Sequence, residues 1–169
     1  MNKRLTFLYV ILLLFSSLFL SAQNSPLFLS SEGGGNGLVA SANIGKPVIT
    51  RQRYKIIFQT GLGWAPNIAK PQSVFSVPAQ LTCNFGENGM YMEAGVGASL
   101  IPKSKLHTAY SAEGKSELYI SPIIGFRHES PKWFGRVYAC PLFHLNGEHI
   151  YDPITKDFIK FGVGIGTIL

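Results

Sequence analysis

Apolar residues recur at every second position in several segments of the chain, which is the period of a β-strand. In the clearest segment, 54–64, the even positions are apolar or aromatic apart from Thr60, and the odd positions include Lys55. Further segments with this alternation are 75–85, 92–100, 118–126, 133–143 and 159–169. Ile57 and Ile123 are exceptions, because both stand on the less apolar face. The pattern predicts an all-β protein.

Charged residues occupy the less apolar face of these segments. They are Lys55, Glu93, Glu117, Arg127, Arg136 and Lys160. Glycine mostly shares this face, with Gly135 as an exception. A soluble barrel would turn this face to water, where glycine is a poor choice, whereas a narrow membrane barrel needs small residues inside to make room for large ones. The pattern therefore favours a membrane barrel with its apolar face in lipid and its charges paired inside.

The lengths of the connections indicate how the barrel is oriented. The links 102–116 and 144–157 are long, whereas 86–89 and 128–132 are short. Outer-membrane barrels place short turns in the periplasm and longer loops outside the cell. We therefore expect both long loops outside and both chain termini in the periplasm.

A weaker seventh strand at 38–44 requires an eighth, because bacterial single-chain barrels have even strand numbers. Residues 26–32 supply it, with the glycine-rich 33–37 as an external turn. The link 45–53 is then a rather long periplasmic turn. The prediction is an antiparallel up-and-down eight-stranded transmembrane β-barrel. Eight strands enclose an interior just wide enough for side chains, so we expect a packed polar core holding the charge network.

The N-terminus and the composition agree with export. Residues 1–22 begin with Lys3 and Arg4, continue as an apolar run and end on Ser21-Ala22, so we expect a cleaved signal peptide and a barrel domain at 23–169. A retained membrane anchor is disfavoured, because the run is shorter than the ~20 residues of a spanning helix. Loss of Lys3 and Arg4 would lower the formal charge from +6 to +4.

Four short motifs carry a resemblance to a known group of proteins. They are Ser21-Ala22-Gln23, Gly61-Leu62-Gly63, Ile124-Gly125-Phe126-Arg127 and Pro141-Leu142-Phe143. With these motifs the chain resembles the small eight-stranded outer-membrane β-barrel proteins of Gram-negative bacteria. The resemblance implies insertion by the barrel assembly machinery. Such barrels usually end on an aromatic residue, whereas this chain ends on Leu169, which keeps the outward parity of its strand.

The sequence assigns no catalytic, cofactor-binding or metal-binding residue. Cys83 and Cys140 fall on opposite faces of separate predicted strands, so we expect two free thiols. The last long loop holds His144, Glu148, His149 and Asp152, but their spacing is not that of an established metal site, and solvated loop residues are the expectation. Phosphate-loop, dinucleotide and nucleic-acid signatures are missing from the sequence, so no cofactor or nucleic-acid partner is expected.

His128-Glu129-Ser130 resembles the His-x-Ser pair that lipid A deacylases carry on the lipid-facing wall of a similar barrel. Here Pro131 follows the serine where that family has asparagine, and the segment is predicted in a periplasmic turn, away from the outer leaflet. Analogy of fold does not establish a site. We therefore expect a protein without enzymatic activity.

The sequence favours a monomeric outer-membrane protein with a structural or surface-interaction role. The expected partners are outer-membrane lipids and lipopolysaccharide, whose anionic groups would be attracted by Lys103, Lys105 and Lys115 in the loop 102–116. Two alternatives stay open. One is a soluble exported lipocalin-like barrel that binds a ligand, and the other is a lipid A-modifying enzyme.

Overall fold

The chain forms strands that follow the predicted period-two segments. The computed structural model describes residues 25–66, 73–102, 116–146 and 159–169, so the predicted signal peptide 1–22 lies outside the described residues. The strands are β1 (Phe28–Gly34), β2 (Ala40–Thr50), β3 (Tyr54–Pro66), β4 (Ser73–Glu87), β5 (Met90–Ile101), β6 (Glu117–Glu129), β7 (Trp133–Pro141), β8 (Phe143–Asn146) and β9 (Ile159–Ile168). None of the described segments is a helix long and apolar enough to cross a membrane.

The strands close into an antiparallel barrel of eight. β7 and β8 both pair with β6 and are separated by Leu142 alone, so together they make one strand of the wall. Counted in this way, each of the eight wall strands pairs with the next along the chain, and β9 also pairs with β1, which completes the ring. The predicted eight-stranded antiparallel barrel is confirmed.

Side chains alternate between the two faces as the sequence predicted. In β3, Leu62 is 69% exposed on the outer face, whereas Gln59 on the inner face is buried. Ile57 and Ile123, the exceptions to the apolar pattern, are buried inside the barrel with the other odd positions of their strands. The inner face therefore carries apolar clusters as well as polar groups.

The two ends of the barrel differ in their connections. One end, the turn end, holds the short turns 51–53, 88–89 and 130–132. The start of β1 and the end of β9 also lie there, and Leu169 N–H donates to Leu27 O. The other end, the loop end, holds the connections after β3, β5 and β8. The turn 88–89 is a two-residue hairpin in which Asn88 and Gly89 both have positive φ, as the tightest hairpin turns require.

Three predicted boundaries are wrong. The link 45–53 is mostly strand, because β2 runs as far as Thr50. The prediction ended the strand too early because Gly45 and Pro47 are residues typical of turns. Pro47 is accommodated because the β2–β3 register shifts between Pro47 and Ile49, as at a β-bulge, where a missing N–H is tolerated. Likewise β6 continues to Glu129, and β8 continues into the predicted loop 144–157 as far as Asn146.

The predicted external turn 33–37 is also placed differently. Gly33 and Gly34 end β1, and Gly35–Gly37 form one turn of 3₁₀ helix that is buried inside the barrel. Gly34 and Gly35 have φ of 72° and 69°, a left-handed conformation that glycine adopts at no steric cost. The chain therefore folds back into the interior at the loop end. We call this segment the inner turn.

Candidate functional site

Charges of both signs lie inside the barrel. Among the described residues, the inner faces of the strands carry four carboxylates and four cations. They are Glu32, Glu93, Glu117 and Glu129 with Lys55, Arg127, Arg136 and Lys160. The six charges predicted on this face are confirmed, but Glu32 and Glu129 were missed. Glu32 lies on the weakest predicted strand, and Glu129 was assigned to a turn.

Arg136 is the centre of this network. Its Nη1 lies 3.3 Å from Glu32 Oε1, and its Nη2 lies 3.0 Å from Glu93 Oε1. The same guanidinium donates to Gln59 Oε1 at 3.2 Å and to Gln80 Oε1 at 2.9 Å. All five side chains are buried. Because they come from β1, β3, β4, β5 and β7, one cation joins five strands across the interior.

A second ion-pair group lies towards the turn end. Glu129 pairs with Lys55 and accepts a hydrogen bond from Arg127 Nε at 2.6 Å. The Arg127 guanidinium stacks between two aromatic rings, 3.7 Å from the centroid of Phe134 and 4.8 Å from that of Phe28. Cation–π contacts of this kind strengthen when they are desolvated, and Arg127 is 1% exposed.

Glycines of β9 give the largest inner side chains of β7 their space. In the register of the two strands, Phe134, Arg136 and Tyr138 face Gly166, Gly164 and Gly162 in that order. A Cβ on Gly164 would lie 2.9 Å from Glu32 Cγ and 3.1 Å from Arg136 Cγ. The expectation that inner glycines make room for large neighbours is therefore confirmed at this wall.

The inner turn is held by hydrogen bonds from Asn36. Its Nδ2 donates to Ala98 O at 3.0 Å and to Ala79 O at 3.3 Å, and its Oδ1 accepts from Ser99 and Ser121 hydroxyls at 3.0 and 3.1 Å. Asn36 is fully buried. At the loop end beyond it, Leu38 belongs to an apolar cluster inside the barrel. The other members are Ala65, Val74, Ile101, Tyr119 and Leu142.

We predict that Asn36→Ala destabilises the barrel by about 1–3 kcal/mol, because it removes the buried partner of the Ser121 hydroxyl and of two carbonyls, while the Ser99 hydroxyl keeps its bond to the backbone carbonyl of residue 36. The measurement is the urea midpoint of the protein refolded in phospholipid vesicles. Gln52→Ala is the control, because Gln52 is an exposed amide in the β2–β3 turn and should change the stability by less than about 1 kcal/mol. Equal effects of the two substitutions would contradict the assigned role of Asn36.

Both cysteines are free thiols on separate strands, and His144 is the described member of the set predicted in the last long loop. Cys83 and Cys140 are free, and Cys83 lies on the outer face whereas Cys140 is buried inside, as predicted. His144 lies in β8 rather than in a loop, with its ring 5.0 Å from the ring of Tyr119. Glu148, His149 and Asp152 lie outside the described residues. The described ranges contain no group of three His, Cys, Asp or Glu side chains that could hold a metal ion.

His128 and Ser130 have separate surroundings at the turn end. His128 is on the outer face of β6, with its Nδ1 3.2 Å from Met90 Sδ and its ring 5.4 Å from the ring of Trp133. Ser130 lies in the following turn, and its N–H donates to Trp133 O at 2.8 Å. His128 is thus in a strand and not in the predicted turn 128–132.

Comparison with known structures identifies the fold. No protein-family model matches the sequence, and no curated protein is similar to it in sequence. Among solved structures, the chain is similar to the N-terminal β-barrel domain of Pseudomonas aeruginosa OprF, with a TM-score of 0.50 and 14% identity over 87% of this chain and 98% of that chain. It is also similar to Ail, the attachment invasion locus protein of Yersinia pestis, with a TM-score of 0.43 and 13% identity over 86% of this chain and 97% of that chain. The chain therefore has the eight-stranded fold of small outer-membrane β-barrel proteins.

Proposed function

We propose that this protein is a monomeric outer-membrane barrel with a structural or surface-interaction role, a filled interior and no open pore. The turn end lies in the periplasm, and the connections 102–116 and 147–158 lie outside the cell. Residues 1–22 direct export and are removed. The single observation that carries the proposal is the inverted distribution of side chains, with large apolar groups outside and paired charges inside.

The outer wall supports a membrane protein over a soluble lipocalin-like barrel. Phe161, Val163 and Ile165 follow one another along the outer face of β9 and are 71%, 61% and 65% exposed. Monomeric soluble proteins rarely expose contiguous apolar patches larger than a few hundred Å². Lipid is the solvent in which such a wall is stable.

The inner contacts support a filled interior. Arg136 joins five strands, and the Asn36 side chain is fixed inside the loop end by four hydrogen bonds. Below this turn the β7 side chains reach across to the opposite wall, and above it lies the apolar cluster that contains Leu38. A solute would have to displace these groups together.

Cell fractionation with heat-modifiable gel mobility tests the location. We expect recovery with outer membranes, extraction by detergent alone, and a folded band that shifts on boiling. Purified protein in planar bilayers should give no steady conductance. Purely soluble recovery would overturn the proposed membrane location. A stable open conductance would contradict the filled interior and leave the membrane location intact.

Thiol labelling tests the orientation of the strands in the membrane. Cys83 should not react with a charged maleimide in intact vesicles, because it lies on the outer wall in lipid, from which the reagent is excluded, and buried Cys140 should not react either. Both thiols should react when the protein unfolds. The single variants Cys83→Ser and Cys140→Ser identify each signal. Reaction of Cys83 with the charged reagent in intact vesicles would contradict its place in lipid.

The external surface and the absence of catalysis are further parts of the proposal. Lys103, Lys105 and Lys115 are outside the described residues, and their proposed contact with lipopolysaccharide rests on charge alone. Their joint replacement by glutamine should weaken that contact, and the loss should vanish at high salt.

Ser130→Ala should leave the acylation of lipid A unchanged; an altered pattern would favour the enzyme.

A further inference from the structure

Two methionines and a histidine lie together on the outer face at the turn end of the barrel. Met90 and Met92 are the only methionines besides Met1, and both point outward from β5, where they are 63% and 55% exposed. His128 on β6 is directly opposite Met90 in the strand register. Its Nδ1 lies 3.2 Å from Met90 Sδ, and all three side chains line one groove.

The contact between His128 and Met90 has the separation of two ligands of one metal ion. Metal ions such as zinc form bonds of about 2.0 Å to histidine nitrogen and about 2.3 Å to sulfur. A single ion can therefore bond to both atoms across 3.2 Å. Met92 follows Met90 by two positions on the same face of the strand, which places a second thioether beside the pair. A bound ion takes the position of a proton on Nδ1, and the neutral ring then carries its proton on Nε2.

The types of ligand select a soft cation of low charge. Thioether sulfur favours Cu⁺ and imidazole also binds copper, whereas hard ions such as Mg²⁺ and Ca²⁺ prefer oxygen. Two thioethers and one imidazole are neutral ligands, so a monovalent ion leaves less uncompensated charge on the wall than a divalent ion. Glu87 is exposed opposite Met90 on β4 and lines the same groove, where its carboxylate supplies a negative charge.

An indole ring adjoins the histidine on the side away from Met90. Gly135 is opposite His128 on β7, and the Trp133 ring lies close to it, with Cζ3 3.7 Å from the position of a Cβ on the glycine. The rings of His128 and Trp133 are 5.4 Å apart. The face of an indole attracts cations within about 6 Å of its centroid. Trp133 therefore lies where it can stabilise a bound cation and report it by fluorescence.

We infer that Met90, Met92 and His128 form a site for one Cu⁺ ion, with Trp133 beside it. The site goes beyond the proposed structural role and does not depend on the membrane location, because the barrel alone brings its ligands together. It also lies outside the search for His, Cys, Asp and Glu groups in the described ranges, because two of its three ligands are thioethers.

Copper binding is measured by titration of Cu⁺, without oxygen, into the protein folded in detergent. The background carries Trp64→Phe, Cys83→Ser and Cys140→Ser, so that Trp133 is the only tryptophan and no thiol competes for copper. We expect quenching of Trp133 that saturates at one equivalent. Zn²⁺ should bind at least about tenfold more weakly, because its sites are built from thiolate, imidazole and carboxylate ligands.

Three variants each remove one ligand. Met90→Leu and Met92→Leu keep an apolar side chain of similar size, and His128→Phe keeps an aromatic ring. Each should lower the Cu⁺ affinity about tenfold or more, since loss of even an outer partner of a metal ligand costs that much. Val96→Leu, on the same outer face of β5, is the matched control and should keep the affinity of the background protein. Heat-modifiable gel mobility verifies that each variant is folded.

X-ray absorption at the copper edge gives a second test that needs no ligand variant. In the thiol-free background, sulfur bonded to copper comes from methionine, and we expect both sulfur and nitrogen neighbours. Copper with nitrogen and oxygen neighbours alone would overturn the site. Quenching without saturation would overturn it too, as would an affinity that is unchanged in Met90→Leu and His128→Phe, because the ion would then bind elsewhere. None of these outcomes bears on the membrane location.

Discussion

Replacement of Arg136 by methionine is expected to destabilise the barrel by about 3–5 kcal/mol, because two buried carboxylates lose their cation. Glu32 and Glu93 both lie within 3.3 Å of its guanidinium and are buried. The glutamines Gln59 and Gln80 also lose the donor that they share. Methionine keeps much of the length of the side chain, so the change tests the charge and not the volume.

Urea unfolding in phospholipid vesicles measures this effect through the heat-modifiable folded band. Arg51→Met is the matched control, because Arg51 is exposed in the β2–β3 turn; an exposed cation contributes at most about 1 kcal/mol. The decisive variant combines Arg136→Met with Glu32→Gln and Glu93→Gln. It should recover most of the lost stability, because removal of a whole buried ionic group is often close to neutral.

An alternative result would show that Arg136 acts through packing. If the triple variant is no more stable than Arg136→Met alone, the unpaired carboxylates are not the source of the loss. The stacking of the guanidinium on Tyr138, 4.1 Å from the ring centroid, would then carry the effect. Arg136→Lys separates the two contributions further, because it keeps the charge and loses the planar group.

The wall of the barrel could be predicted from the sequence because its two faces meet opposite environments. Lipid outside and a crowded polar interior impose a period of two on every strand, so Leu62 and Gln59 fall on different faces by parity alone. Even Ile57, which breaks the apolar pattern, keeps its geometric parity and lies inside. The period fixes the direction of a side chain, whatever its type.

The pairing inside the barrel could not be predicted, because parity does not say which inner residues meet. Arg136 reaches Glu32, which is 104 residues away in the chain, through the ring closure and not through a hairpin neighbour. The presence of the two unpredicted carboxylates, Glu32 and Glu129, could still have been inferred from the sequence. The predicted network of four cations and two carboxylates was unbalanced, and buried charges need partners, so two further carboxylates were required on the inner face.

The direction of the inner turn could not be predicted for a similar reason. Gly35 and Gly37 allow a tight reversal, but they do not decide whether it points into solvent or into the barrel. That direction is set by Ser99 and Ser121, which bind Asn36 from strands far along the chain. Local sequence therefore predicts that a turn exists, and long-range hydrogen bonds decide its direction.

Gly162→Val is expected to destabilise the barrel by about 3 kcal/mol or more, at the upper end of the cost of overpacking. Its Cβ would strike the ring of Tyr138, which lies between Gly162 on β9 and Gly125 on β6. The ring cannot move aside freely, because its hydroxyl donates to Glu32 Oε2 at 2.9 Å and its face stacks on Arg136. Displacement would therefore disturb the central ion pairs as well.

The comparison with Gly33→Val separates lost space from a general effect of valine at a strand glycine. Gly33 lies on the outer face of β1 with nothing near its missing side chain, and valine favours strands, so this variant should be as stable as the parent protein. Urea midpoints in vesicles measure both. In a Tyr138→Leu background, Gly162→Val should cost less than it does in the parent protein, because the smaller side chain frees the space. If the cost is the same in both backgrounds, contact with the ring is not the reason that position 162 requires glycine.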